Sequence, residues 1–298
     1  VPARAVAASI AAIAAAALSG CAADGPAATS ASLARAGYDQ PGMHRQYGAP
    51  LAIGDGQVRT YIVLDQKSGG AAVELGVALD ERALEALPEH GSGGGPHGNF
   101  VEYLPPLPAQ NNTPFQLVEL DWNPMGHGEP HDAPHFDFHF YTIDKAARDA
   151  IDPMDPAFAA QAAHEPDAAS VPQFYANPAA LLGVPAPAIA VPKMGMHWID
   201  LRSPELQGML GHPENYKPFT ATFIYGAWDG EFIFMEPMIT RAHILAKRDA
   251  ADAVRDEIIP ISTSASYPSG GFRPDAYRIA YDAQAKEFRI GLVMTGGN

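Results

Sequence analysis

The residues 126 to 141, GHGEPHDAPHFDFHFY, concentrate side chains that bind metals or transfer protons. Four of the eleven histidines lie here at every fourth position: His127, His131, His135 and His139. Such spacing would align imidazoles on one face of a helix. Two prolines and two glycines inside the run disfavour a helix, because proline lacks the amide donor and restricts the residue before it. The even spacing therefore does not indicate a helical metal site.

From residue 134 onward the run alternates with the period of a β-strand. Three phenylalanines share one face: Phe136, Phe138 and Phe140. The opposite face carries His135, Asp137 and His139. We expect the phenylalanines to pack into a core and the second face to form a polar stripe.

Strand geometry limits how this stripe can bind an ion. At a rise of about 3.3 Å per residue, the Cα atoms of His135 and His139 lie roughly 13 Å apart. Two imidazoles so far apart cannot share one ion when each ligand bond is about 2.1 Å long. One histidine and Asp137, at about 6.6 Å, can converge on an ion, or Asp137 can orient the histidine from behind.

The remaining ligands must come from other strands, and two candidates stand in apolar surroundings. His197 lies in MGMHWID and Glu236 lies in FIFMEPMIT. Burying an ionisable group in such a strand is costly unless it is paired. The sequence thus predicts a divalent-metal site for Zn, Fe or Mn, with these ligands: His135, Asp137, His139, His197 and Glu236. His127 and His131 are accessory candidates in the loop at its mouth.

Two other interpretations of these residues stay open. The same side chains could form a buried hydrogen-bonded network without an ion, in a non-catalytic structural or ligand-binding protein, or the histidines could simply lie on the surface. The sequence leaves open whether the protein is an enzyme, since it lacks the H-E-x-x-H, G-x-S-x-G and G-x-G-x-x-G motifs. No substrate can be named.

The elements that must position these residues are mainly strands. Alternating and β-branched runs such as QVRTYIVLD, AAVELGVALD and PFQLVELDW predict about eight to ten strands. Between them, residues 144 to 190 are rich in Ala and Pro and carry three helix openings, at Asp144, Asp155-Pro156 and Asn177-Pro178. Two further stretches predict helices: DERALEALPE, with Asp80 as its N-cap, and TRAHILAKRDAADAVRDEI after the last apolar strand. The pattern predicts a mainly β (α+β) fold: one sandwich or barrel-like domain over residues 49 to 298, with peripheral helices and a helical insertion at 144 to 190.

The amino-terminal residues indicate export. An Ala-rich apolar stretch ends in Leu18-Ser19-Gly20-Cys21, which resembles a bacterial lipobox and implies cleavage before Cys21 and lipid on its sulfur. We therefore expect a signal peptide at 1 to 20, a Gly/Pro-rich tether at 21 to 48, and a lipid-anchored protein facing the periplasm or the cell surface. The formal charge of -15 and the absence of a basic run exclude nucleic acid as a natural partner.

Several segments together resemble an uncharacterised family of secreted bacterial envelope proteins. They are AVELGVALDERALEALPE, LDWNPMGHGEP, PHFDFHFY, MGMHWID and FIYGAWDGEFIFMEPMIT, spread over roughly residues 50 to 295. The resemblance implies a β-rich envelope domain and leaves open whether it forms a homo-oligomer. It brings no established reaction to these residues.

Overall fold

Two antiparallel sheets of seven strands each form the body of the protein. The computed structural model describes residues 41–91, 99–251, 254–264 and 271–295. The first sheet contains β1 (Met43–Tyr47), β2 (Leu51–Ile53), β3 (Gly56–Asp65), β4 (Ala71–Asp80), β12 (Asp256–Pro260), β13 (Ala276–Asp282) and β14 (Glu287–Val293). Its order is β1-β3-β4-β14-β13-β12, with β2 also paired to β3.

The second sheet carries the histidine run. It contains β5 (Val101–Tyr103), β6 (Leu117–Asn123), β7 (His135–Tyr141), β8 (Tyr175–Ala176), β9 (Met196–Asp200), β10 (Ala221–Trp228) and β11 (Glu231–Thr240). The order β5-β6-β7-β11-β10-β9-β8 places β7 in the interior of the sheet. Neighbouring strands therefore flank the run on both sides.

The main core lies between the two sheets. Phe136, Phe138 and Phe140 are fully buried there, together with Leu75 and Ile290 of the first sheet. Burying each such side chain contributes about 1.5–3 kcal/mol relative to leaving it in water. The predictions of a mainly β, sandwich-like fold and of a core-facing phenylalanine stripe are confirmed.

Short helices follow the capping residues that the sequence provides. They are α1 (Lys145–Asp149), α2 (Phe158–Ala163), α3 (Pro178–Leu182) and α4 (Arg241–Asp249). The carboxylate of Asp144 accepts from the amide of Ala147 at 2.8 Å, and Asn177 caps α3 by accepting from Ala179 at 2.9 Å. These side chains satisfy amides that have no partner within the helix.

The insertion between β7 and β9 packs on the outer face of the second sheet. Its apolar residues Ile151, Phe158, Val191 and Met194 form a cluster with Tyr141 and Phe234 of the sheet. The polar stripe of β7 lies on this same face, and its side chains are buried. Both faces of β7 are therefore shielded from water.

The outer face of the first sheet holds a tyrosine laid across two glycines. Arg278, Gly291, Gly76 and Tyr61 are neighbours in register on β13, β14, β4 and β3. A Cβ at Gly76 would lie 2.6 Å from the Tyr61 ring, and one at Gly291 would lie 2.9 Å from its hydroxyl oxygen. The missing side chains thus leave room for Tyr61, whose hydroxyl donates to Glu74.

Charges on this outer face are matched. The carboxylate of Glu287 accepts from Tyr47 at 2.6 Å, from Arg59 at 3.1 Å and from Arg289 at 2.7 Å. Arg289 also pairs with Asp282 at 2.7 Å, and the Arg278 side chain lies 3.2 Å from Asp256. Each buried carboxylate here has a guanidinium beside it.

Three local expectations differ from the structure. Strand β1 lies inside the range predicted as tether, because Met43–Tyr47 pairs with β3. The helix after Thr240 stops at Asp249, and Asp256–Pro260 is a strand. The segment predicted as a helix after Asp80 is a 3-10 turn, Glu81–Leu84, while Asp80 does cap it.

The predicted signal peptide and Cys21 lie outside the described residues. Within the described ranges, none of the helices has the length and apolar character needed to cross a bilayer.

Candidate metal centre

Strand β7 presents its polar residues between two other polar strands. In register, His135, Asp137 and His139 face Asn123, Asp121 and Glu119 of β6. On the other side Met238 of β11 faces Asp137, so Glu236, two residues earlier, projects to the same face. The period-two alternation thus gathers ionisable groups from three adjacent strands on one outer face.

The first group of metal-binding side chains is His139, His197 and Glu236, here named the buried trio. Donor atoms of all three lie within 4.8 Å of one another. Nε2 of His139 is 3.6 Å from Oε1 of Glu236, and Nε2 of His197 is 3.7 Å from Oε2. His139 and Glu236 are at most 1 % exposed, whereas the His197 side chain is 22 % exposed.

A glycine makes the packing of the buried trio feasible. His197 on β9 faces Gly226 on β10, which in turn faces Phe234 on β11. A Cβ at Gly226 would overlap the ring of Phe234. That ring centre lies 4.9 Å from the His139 ring and 5.3 Å from the His197 ring, so it forms an apolar wall against both imidazoles.

The second group is His127, His135 and Asp137, here named the loop trio. Nε2 of His135 lies 3.1 Å from Nε2 of His127 and 3.1 Å from Oδ1 of Asp137. Oδ2 of Asp137 is 3.8 Å from the His127 nitrogen and accepts from the Asn123 amide at 2.8 Å. Two strand residues and one loop residue therefore converge at the end of β7.

A third group shares His139 with the buried trio. Glu119, Asp121 and His139 also have donor atoms within 4.8 Å of one another, and all three are buried. Nδ1 of His139 lies 3.7 Å from Asp121, which places a carboxylate behind the imidazole. Arg148 of α1 pairs with Glu119 at 2.6 Å and also contacts Glu102, so the insertion is joined to the sheet by charge.

Burial disfavours charge in much of this cluster. It raises the pKa of Asp121 and of Glu236 well above their usual values, and it lowers the pKa of His139 to about 4. Carboxylates nearby raise the two acidic values further: Glu119 and Asp137 for Asp121, and Asp137 for Glu236. Without a cation, these groups therefore hold protons or stay neutral.

The loop trio has the opposite electrostatic character. Burial opposes charge on His135, but the Asp137 carboxylate outweighs it and raises the pKa of the imidazole. Burial also opposes charge on Asp137, yet His135 and the other nearby imidazoles hold the pKa of that carboxyl below its usual range. Without a metal ion, a proton can therefore occupy the position between His135 and Asp137.

The structure divides the five predicted ligands between two groups. All five lie on the outer face of the second sheet. His135 and His139 belong to different groups, in agreement with their distance along the strand. Of the loop histidines, His127 joins the loop trio. His131 lies apart, with its Nε2 3.7 Å from Oε1 of Glu205.

Several polar residues of the cluster were missed by the sequence reasoning. Glu119, Asp121 and Asn123 alternate with Val118, Leu120 and Trp122, which is the same pattern that singled out β7. Applied to β6, that pattern would have found them. No local signal marks Arg148, because its role depends on the insertion folding back over the sheet.

Comparison with protein-family models, with curated proteins and with solved structures finds no match to this chain. The resemblance to a secreted envelope family therefore stays a prediction, and the assignment of a function depends on the geometry of the cluster.

Proposed function

We propose that the protein binds a divalent metal ion through the buried trio, His139, His197 and Glu236. The separation of its donor atoms supports this most directly. Contacts of 3.6 and 3.7 Å are too long for hydrogen bonds. Ligand atoms around a tetrahedral ion with bonds near 2.1 Å lie roughly 3.4 Å apart. The spacing therefore suits an ion better than a proton.

Unsatisfied atoms provide a second argument. In the described part of the chain, both ring nitrogens of His139, one oxygen of Glu236 and both oxygens of Asp121 are buried without a hydrogen-bond partner. Buried polar atoms are nearly always paired, and leaving one unpaired costs about 1–3 kcal/mol. A hydrogen-bonded network without an ion would require shorter contacts at His139.

The charges in the cluster favour the same proposal. Four buried carboxyl groups lie together: Glu119, Asp121, Asp137 and Glu236. Among the described residues, Arg148 is the one arginine or lysine that forms an ion pair with any of them. A divalent cation would offset this excess and displace the protons that burial otherwise retains on Glu236.

The donor set indicates the class of metal and the chemistry it supports. Two imidazoles and one carboxylate suit Zn, Fe or Mn. Asp121 lies 3.7 Å from Nδ1 of His139, too far for a hydrogen bond here, but on the side from which a carboxylate commonly orients a ligating imidazole. Three protein donors leave a position for water or substrate, so a bound ion would activate water or polarise a carbonyl.

Metal content of the full chain, purified without an affinity tag, tests the proposal. Elemental mass spectrometry measures the content of Zn, Fe and Mn per chain. We expect His197→Ala and Glu236→Gln each to contain about one equivalent of metal less than the wild type. His164→Ala is the matched control, because His164 is exposed and pairs with Asp229 away from the cluster. Retention of the full metal content in both site variants would refute the buried trio.

We also propose export and lipid anchoring at Cys21. The apolar stretch followed by Leu18-Ser19-Gly20-Cys21 supports this, and acyl chains would supply the membrane affinity. Replacing Cys21 with Ser should move the protein from the membrane fraction to the soluble fraction. An unchanged distribution would contradict the lipid anchor and leave the metal site unaffected.

A further inference from the structure

The loop trio shares no donor with the buried trio and has its own supporting geometry. We propose that His127, His135 and Asp137 form a second divalent-metal site, at the end of β7 beneath the loop of residues 124 to 134. This inference goes beyond the function proposed above. The two sites would bind one ion each.

The tautomer of His135 is set for ligation. Its Nδ1 lies 2.6 Å from the carbonyl oxygen of Ala133, so Nδ1 carries a hydrogen and donates it. This arrangement is common among metal-binding histidines, because it directs the lone pair of Nε2 toward the ion. Here that nitrogen faces His127 Nε2 and Asp137 Oδ1, each at 3.1 Å. The lone pair of Nε2 can accept a hydrogen from His127, but it repels the Asp137 oxygen unless a proton or a metal ion lies between them.

Asp137 is oriented in a corresponding way. The Asn123 amide donates to its Oδ2, while Oδ1 is buried without a hydrogen-bond partner in the described part of the chain. The residue is only 7 % exposed, so water cannot readily satisfy that oxygen. Oδ1 thus has unused acceptor capacity directed at His135.

The donor separations match coordination geometry. Ligands in adjacent positions lie roughly 3.0 Å apart around an octahedral ion and 3.4 Å apart around a tetrahedral one when bonds are near 2.1 Å. Two of the observed values, both 3.1 Å, lie within this range, and the third, 3.8 Å, lies above it. Little movement would be needed to bind an ion.

The loop that carries His127 is held in place before any ligand binds. The His127 amide donates to the His131 carbonyl at 3.2 Å, and the His131 amide donates to the Gly128 carbonyl at 2.7 Å. The ring of Phe219 packs against His131 at 4.8 Å and against His135 at 5.3 Å. A preorganised loop lowers the entropy lost on binding.

Equilibrium dialysis of the full chain against Zn²⁺ near neutral pH, followed by elemental analysis, tests this second site. We expect two Zn²⁺ per chain in the wild type, one in His127→Ala, one in His197→Ala and none in the double variant. His164→Ala should keep two. His127 lies in a loop and is 22 % exposed, so its replacement should leave the fold intact, which circular dichroism checks.

Each other outcome decides between the sites. Two ions in His127→Ala would overturn the loop trio, and a conserved count in Asp137→Asn would do the same. A single ion in the wild type that only His197→Ala removes would leave the buried trio and exclude the loop trio. A single ion that only His127→Ala removes would leave the loop trio and refute the function proposed above.

Discussion

The outer faces of the two sheets both bury ionisable groups, but they balance charge differently. On the first sheet, Glu287 is surrounded by Arg59, Arg289 and the hydroxyl of Tyr47. On the second sheet, four buried carboxyl groups have Arg148 as the one arginine or lysine paired with them in the described structure. The first face neutralises itself, whereas the second requires protons or an external cation.

The difference shows how burial alone fails to define a site. Both faces contain carboxyl groups with raised pKa values, since burial raises that of Glu74 on the first sheet to about 8. Glu74 nevertheless has Tyr61 as a donor and Arg278 nearby. Buried atoms without a hydrogen-bond partner occur on both described faces, and Oε2 of Glu74 is one of them, but that oxygen lies 3.9 Å from the guanidinium of Arg278. The unsatisfied oxygens of Asp121 and Glu236 have only histidines as ion-pair neighbours among the described residues, and this is what indicates a ligand.

Removing Arg148, the arginine paired with the buried carboxyl groups of the second face, should have the largest effect. Arg148→Met leaves Glu119 buried without its cation and detaches α1, so we expect the free energy of unfolding to fall by about 3–5 kcal/mol. Arg202→Met removes an exposed pair with Asp200 and should cost less than about 1 kcal/mol. Urea denaturation compares the two, and equal losses would contradict the role of Arg148.

Neutralising one carboxylate on each face should give unequal results. Glu287→Gln disturbs a satisfied network and should destabilise the protein by about 3 kcal/mol. Glu236→Gln in the metal-free protein should change stability by less than about 1 kcal/mol, because burial already keeps that group protonated. If Glu236→Gln costs as much as Glu287→Gln, measured by urea denaturation without metal, the two faces are not distinct.

Adding a methyl group at Gly226 should damage the second face specifically. Gly226→Ala would displace Phe234 from its position between His139 and His197, with an expected cost of about 1–3 kcal/mol. Zn²⁺ affinity should fall as well. Gly208→Ala is the control, because its Cβ would find the nearest neighbour at 3.6 Å and fit without strain. Calorimetric titration that shows unchanged Zn²⁺ affinity in Gly226→Ala would contradict the packing argument.

The pH dependence of the metal-free protein should involve both faces. The folded chain holds the Glu74 proton up to a pKa of about 8, against 4.5 ordinarily. Folded chains then bind more protons than unfolded ones, so the free energy of unfolding falls as pH rises from about 5 to 8. Glu119 and His135, whose pKa values are also raised, act in the same direction. His139, whose pKa burial lowers from 6.5 to about 4, acts in the opposite direction below about pH 6.5.

Each such group contributes at most about 1.4 kcal/mol per pH unit. Glu74→Gln removes a titrating group of the first face, and Glu119→Gln removes one of the second. Each should make the free energy of unfolding fall less steeply as pH rises. Urea denaturation across this pH range measures the slopes. A stability that rises with pH would contradict the assigned shifts.

Sequence reasoning succeeded where the signal is local. The alternation in β7 predicted which side chains enter the core, and Asp144 and Asn177 predicted the starts of two helices. It also placed His197 and Glu236 near the histidine run, because an ionisable residue in an apolar strand needs a partner.

It failed where contacts join distant parts of the chain. The division into two trios depends on strand order, which puts β11 rather than another strand beside β7. Arg148 reaches Glu119 only because the insertion folds over the sheet. A period-two pattern states which residues share a face, but it contains no information about the neighbouring strand.

The burial of both faces of β7 also constrains how the chain can fold. A shift of one residue in pairing would turn His135, Asp137 and His139 into the layer between the sheets and bring three phenylalanines among carboxylates. In a strand with one wet face, such a slip exposes the apolar groups to water and turns the polar groups into the core. In β7 the slip would also separate His135, Asp137 and His139 from the polar side chains beside them on β6 and β11. Misaligned pairing is therefore disfavoured on both sides of β7, and the correct register is strongly specified.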